Sequence, residues 1–298
     1  MKKHDANERL VPVLEALSDI TVTVVADFVS GERKCAGLAA AATLAQVGVN
    51  VFPVGVVGED AAGQQIQHRL QELHISTSGV DRIKKYSTPR AEQVAGVELL
   101  HGEHPALLNL IEHARKFASA SEAMYLCDHG FGAASPRALN FIKSNGCVRE
   151  KTLAARSTAR LADFEQLSAA IGTAAEMEKA IDIEIGESAE KLRVAGDGMK
   201  QELKVDVFLA VGNDSLLAFS DRHKPMSFEI AEPFSSADVD VLGAIFAAAL
   251  ATDADAADAA QLAAQVTLFL RRESAVAQRE RREALIEFLS GKSAVRSR

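Results

Sequence analysis

The chain has 298 residues, 48% of them hydrophobic and 25% charged, enough to bury a sizeable core in one large domain or two small ones. Its formal charge of −8 argues against nucleic acid as the main partner, because phosphate backbones are bound by clustered Lys and Arg. No stretch approaches the roughly 20 apolar residues of a membrane span, and the N-terminus has no signal-peptide pattern, so no membrane association and a cytoplasmic location are expected.

In chain order, LVPVLEAL reads as an amphipathic helix and the β-branched run ITVTVVA, ending at Asp27, as a buried strand. Gly37 to Val47 is an Ala-rich helix closed by Gly48, VNVFPVGVVG a second strand, and Asp60 to Leu73 a helix that leads through HISTSGV into another extended segment. Then come a helix at Pro105 to Phe117, a strand at Ala123 to Cys127, a helix at Ser135 to Ser144, a short strand near Thr152 to Ala155 and a helix at Ala174 to Ile181. Ser188 to Leu203 is helical, VDVFLAVG is a strand, SLLAFS and MSFEIA form a hairpin, and helices follow at Val241 to Ala251, Ala256 to Arg272 and about Arg279 to Leu289. Strands returned to one sheet edge by crossover helices make a parallel sheet, and no linker interrupts the chain, so residues 1–298 are expected to form one doubly wound α/β domain.

Five segments, in order, resemble the ribokinase (PfkB-type) carbohydrate kinases, most closely their heptose-phosphate kinase branch: VVADF, GLAAAATLAQVGVNVFPVGVVGEDAAGQQIQHRLQELHIST, STPR, DHGFGAASPRAL and LGAIFAAALATDADAADAAQLAA. The most specific is V-G-x-x-G-x-D followed by Gly, met by Val54, Gly55, Val57, Gly58, Asp60 and Gly63. The resemblance implies a ribokinase-like fold, and its functional positions can be compared one by one. Anchoring on Gly243, the family's G-A-G-D motif, which supplies an anion hole and a catalytic base, falls on Ser236, Ala237, Asp238 and Val239. Both glycines are missing, and carboxylates stand one place to either side of the base, at Asp238 and Asp240. In the sugar-binding block, Cys35, Ala36 and Ala39 replace two glycines and an asparagine, while Asp27 keeps the acidic position after the first strand and Ser30 replaces a second. Asp27 to Cys35 is too short for the lid strands, so the lid should be reduced or absent. On the nucleotide side only Glu176 of IGTAAE and Gly212 match, and Ala91, Glu92 and Gln93 stand where basic residues follow STPR.

Apolar core positions are thus kept and polar site positions lost, which implies a non-catalytic homologue of a sugar kinase that binds or scaffolds and needs no cofactor. The alternative is an active ATP- and magnesium-dependent phosphotransferase using Asp240 or Asp238 as base, with Asp27 and the Ala39 block on the substrate and Gly212 and Glu176 on the nucleotide. The lidless face bearing Asp27, Cys35 and Leu38 is expected to be exposed and to associate with a second copy or a protein partner. His129 beside Asp128 suggests an Asp-His pair, but neighbours in an extended segment point apart. The HGEH segment reads as a polar loop, not a metal site. Cys35, Cys127 and Cys147 read as incidental or buried thiols, so no metal is expected. The basic cluster Arg271, Arg272, Arg279, Arg281 and Arg282 is interleaved with glutamates and reads as a solvated helix face.

Overall fold

The structure, a computed structural model, describes residues 9–31, 36–90, 105–144, 146–230, 232–272 and 278–290. Cys35, the residues after STPR and the HGEH loop lie outside these. Nine strands form one sheet: β1 (Thr21–Ala26), β2 (Asn50–Gly58), β3 (Val80–Ile83), β4 (Ala123–Asp128), β5 (Thr152–Ser157), β6 (Ala169–Thr173), β7 (Val207–Val211), β8 (Ser215–Ser220) and β9 (Met226–Glu229). Their order is β3-β2-β1-β4-β5-β6-β7-β8-β9. The pairings from β3 through β7 are all parallel, and β8 and β9 extend the sheet as an antiparallel hairpin.

The helices are α1 (Leu10–Ala16), α2 (Ala36–Gln46), α3 (Ala61–Glu72), α4 (Pro105–Ser119), α5 (Pro136–Ser144), α6 (Ala174–Ile181), α7 (Ala189–Leu203), α8 (Ser236–Leu250), α9 (Ala256–Arg272) and α10 (Gln278–Leu289). Alternation along the strands decides which face each side chain joins. Val22, Val24, Tyr125 and Cys127 pack in one core with α1, α2, α8 and α9. Val25, Met124 and Leu126 pack in a second core with α4, α5 and α7. The resulting α/β sandwich, a mostly parallel sheet between two helical layers, is the fold class that the sequence implies.

The V-G-x-x-G-x-D segment has a structural explanation. Asp60 caps α3, accepting from the Gly63 amide at 2.8 Å, and also accepts from the Thr88 amide and hydroxyl at 2.8 and 2.7 Å. The Thr88 hydroxyl in turn accepts from the Gly58 amide at 2.9 Å. The STPR tetrapeptide is thereby clamped to the end of β2. A side chain at Gly58 would lie 2.3 Å from the Tyr86 carbonyl, and one at Gly63 2.2 Å from the Gly58 carbonyl, so the clamp closes only with glycine at both places.

Three elements depart from the sequence reading. Strand β6 was not anticipated: AAIGT has one β-branched aliphatic residue, and its pairing with β5 and β7 overrides weak intrinsic preference. Helix α8 begins at Ser236, five residues before the expected Val241, because Ser235 and Asp238 form a reciprocal capping box. Arg271 is not solvated as expected. It pairs with Asp238 at 2.7 Å and lies 4.9 Å over the Phe234 ring.

Candidate functional site

In an open α/β sheet, ligands meet the carboxyl ends of the strands where the strand order reverses. That point here lies between β1 and β4, where Ala26 pairs with Cys127. Asp27 follows directly. It is 2% exposed, and its carboxylate accepts from the amides of His129, Phe131 and Ala133 at 2.9, 3.0 and 2.8 Å. The Asp27 carboxylate therefore ties down the turn after β4. Burial, with the charge of Asp128 added, raises its pKa from 3.8 to about 6, and the amides only partly offset this.

The two residues after Cys127 diverge. Asp128 accepts from the Ser157 hydroxyl at 2.6 Å and pairs with Arg160 at 3.1 Å. His129 turns the other way, its Nε2 3.4 Å from Cys127 Sγ and 3.2 Å from Asp240 Oδ2. Strand β5 supplies Arg156, which is 2% exposed and which sequence reasoning did not single out. Its guanidinium donates to Asp240 Oδ1, to Glu176 Oε1 at 2.7 Å, and to the Ser236 carbonyl and hydroxyl at 2.6 and 3.1 Å. No spacing rule marks a lone arginine in a strand; what flags Arg156 is the tertiary meeting of β5, α6 and α8.

Two of the sequence-derived candidates, Asp240 and Glu176, bond to this arginine. Asp240 is fully buried. Burial alone would raise its pKa, but Arg156 and His129 outweigh it and hold the carboxyl below the ordinary value. Those same charges work in reverse on His129: burial lowers its pKa, and Asp240 more than restores it, so the net shift is upward. Glu176 spans Arg156 and the Thr173 amide, its Oε2 accepting there at 2.9 Å as part of the α6 capping box. Asp238 is occupied by the Ser235 amide and hydroxyl and by Arg271. Ala39, on α2, is half-buried and brings no polar group.

Gly212 lies apart, at the end of β7. The cavity beside it, lined by Gly186, Ser188, Leu192 and Asp214 among others, holds about 10 Å³. That is room for about one water. Glu176 is bonded to Arg156, and the N-terminus of α8 is closed by the capping box of Ser235 and Asp238.

Both described residues of the face expected to be exposed are covered. Leu38 is 9% exposed and packs in the core with α8, and Asp27 is covered. Above Asp27, Val29 packs on Phe131, and Ser30 bridges to Arg90. That bridge is the only lid-like pairing among the described residues, where no second sheet occurs. Burial of Leu38 keeps its apolar side chain from water.

No protein-family model matches the chain, and no curated protein sequence does either. Solved structures do match. Ribokinase from Arabidopsis thaliana complexed with ribose and ATP is 14% identical, with a TM-score of 0.66 over 90% of this chain and 99% of that one. The tetrameric inhibited form of phosphofructokinase-2 from Escherichia coli is 12% identical, with a TM-score of 0.66 over 91% and 99%. A carbohydrate kinase from Agrobacterium tumefaciens is 16% identical, with a TM-score of 0.64 over 91% and 97%. The fold is therefore ribokinase-like, shared with carbohydrate kinases along nearly its whole length.

Proposed function

We propose that this chain is a non-catalytic relative of the sugar kinases, a degenerate member of that group nearest its heptose-phosphate branch, and acts by binding or scaffolding. The observation that supports this most is Arg156. A buried guanidinium, already bonded to Asp240, Glu176 and Ser236, sits against the helix start where the family's transferring phosphate would be held. Phosphoryl transfer relies almost wholly on positioning and charge stabilisation, so a site whose acid, base and helix terminus bind one another has little left to offer a substrate. A base must also reach the proton it removes, and Asp240 is fully enclosed. Assembly with a second copy or a protein partner fits a scaffolding role, through surfaces other than the one that bears Leu38.

A coupled assay with ATP, magnesium and ribose, fructose phosphate or heptose phosphate tests the reading, and no sugar-dependent turnover above background is expected. Turnover abolished by Asp240→Asn or Asp238→Asn would overturn it and establish the kinase alternative.

A further inference from the structure

The fold brings together three groups that the sequence separates. Cys127 Sγ, His129 Nε2 and one Asp240 carboxylate oxygen all lie within 4.8 Å of one another. We propose that these three side chains bind a divalent transition-metal ion of the zinc class. This inference is independent of whether the chain transfers phosphate.

Geometry comes first. Zinc bonds of about 2.3 Å to sulfur and about 2.0–2.2 Å to nitrogen and oxygen, at tetrahedral angles, put neighbouring ligand atoms about 3.3–3.6 Å apart. The separations from His129 Nε2 are 3.4 Å to sulfur and 3.2 Å to Asp240 Oδ2. The end of β4 and the residue just after it place Cys127 and His129 side by side, and α8 brings Asp240 across to meet them. A thiolate, an imidazole and a carboxylate together favour zinc-class ions over magnesium or calcium, which take oxygen ligands.

Support around the ligands fits as well. Asp240 uses Oδ2 toward His129 and Oδ1 toward Arg156, so the guanidinium holds the carboxylate from behind, as outer partners of metal ligands do. Charge also closes. Asp240, Glu176 and a Cys127 thiolate carry three negative charges against one on Arg156, and a dication brings that set to zero with His129 neutral.

A separate observation points to the same place. The Tyr125 hydroxyl is buried with no hydrogen-bond partner, on the same strand face as Cys127. Three protein ligands leave a fourth position for water, and such a water would give this hydroxyl a partner. His129, 14% exposed at its side chain, provides the side from which an ion enters.

The test uses the full chain, stripped with a chelator, in which Cys35→Ser and Cys147→Ser leave Cys127 as the single thiol. Titration with Co²⁺ should reach one equivalent, with a thiolate-to-cobalt charge-transfer band and the intense visible bands of four-coordinate cobalt. Zn²⁺ should displace the cobalt and raise the melting temperature. Adding Cys127→Ser should remove the charge-transfer band, and His129→Gln should weaken affinity by at least about tenfold, as loss of even an outer partner does. Absence of stoichiometric binding, a cobalt spectrum without the thiolate band, or unchanged affinity in folded His129→Gln would each overturn the proposal. If the added variants fail to fold, the cobalt spectrum of the single-thiol protein decides alone.

Discussion

Arg156 shows how one buried side chain can join three elements of the fold. Removing one partner of a buried ion pair leaves the other charge unpaired, at a cost of about 3–5 kcal/mol. Arg156→Met, which keeps most of the volume, is expected to lose stability in that range in urea denaturation of chelator-treated protein, because Asp240 and Glu176 remain buried. A loss below about 1 kcal/mol would mean that the network contributes little. Asp27 gives a pH signature. Its folded pKa of about 6 lies above the 3.8 of the unfolded chain, so it favours the folded state at low pH, and that contribution is lost as pH rises through the folded value. At 1.36 kcal/mol per pKa unit, and with the unfolded carboxyl already partly ionised at pH 4, the stability of wild type relative to Asp27→Asn should fall by about 2 kcal/mol between pH 4 and pH 7. A difference that stays flat with pH would show that the carboxyl is not raised.

At the scale of elements, the clamp between the end of β2, the start of α3 and Thr88 makes an opposite-sign test of helix propensity. Gly to Ala inside a helix normally gains about 1 kcal/mol. At Gly63 the new methyl would meet the Gly58 carbonyl at 2.2 Å and the Thr88 hydroxyl at 3.0 Å. Backbone cannot swing aside as a flexible side chain does, so Gly63→Ala is expected to destabilise by about 1–3 kcal/mol, read from the urea midpoint. A stabilised variant would show that the clamp is looser than these distances. Gly243 belongs to the same class of close approach, since a methyl there would lie 2.4 Å from the Tyr125 hydroxyl.

For the whole molecule, the burial of Leu38 sets what a substitution there can report. Leu38 was expected on an association face but lies in the core shared by α2 and α8. Leu38→Glu should therefore lower stability by about 3 kcal/mol or more, as a buried unpaired carboxylate replaces a packed side chain. Thermal melts followed by circular dichroism, with light scattering on the same sample, separate the outcomes. A variant that melts like wild type but shifts from oligomer to monomer would restore the exposed-face reading.

The sequence by itself determined the alternation of strands and helices, because periodicity is local, and it singled out Gly58, Asp60 and Gly63 through the V-G-x-x-G-x-D pattern without revealing the clamp they form. It also suggested the separation of Asp128 from His129, which follows from the two-residue repeat of a strand. Strand β6 was hidden because AAIGT is a strand only by virtue of its neighbours. The tertiary structure alone decided that Arg156 joins Asp240 and Glu176, that Cys127 and His129 meet Asp240, and that Leu38 turns inward. These contacts span 84, 20 and 111 positions for Arg156–Asp240, Arg156–Glu176 and His129–Asp240. Charge complementarity across such distances leaves no spacing in the chain, and it is created only when the sheet sets the ends of β4 and β5 beside the first turns of α8.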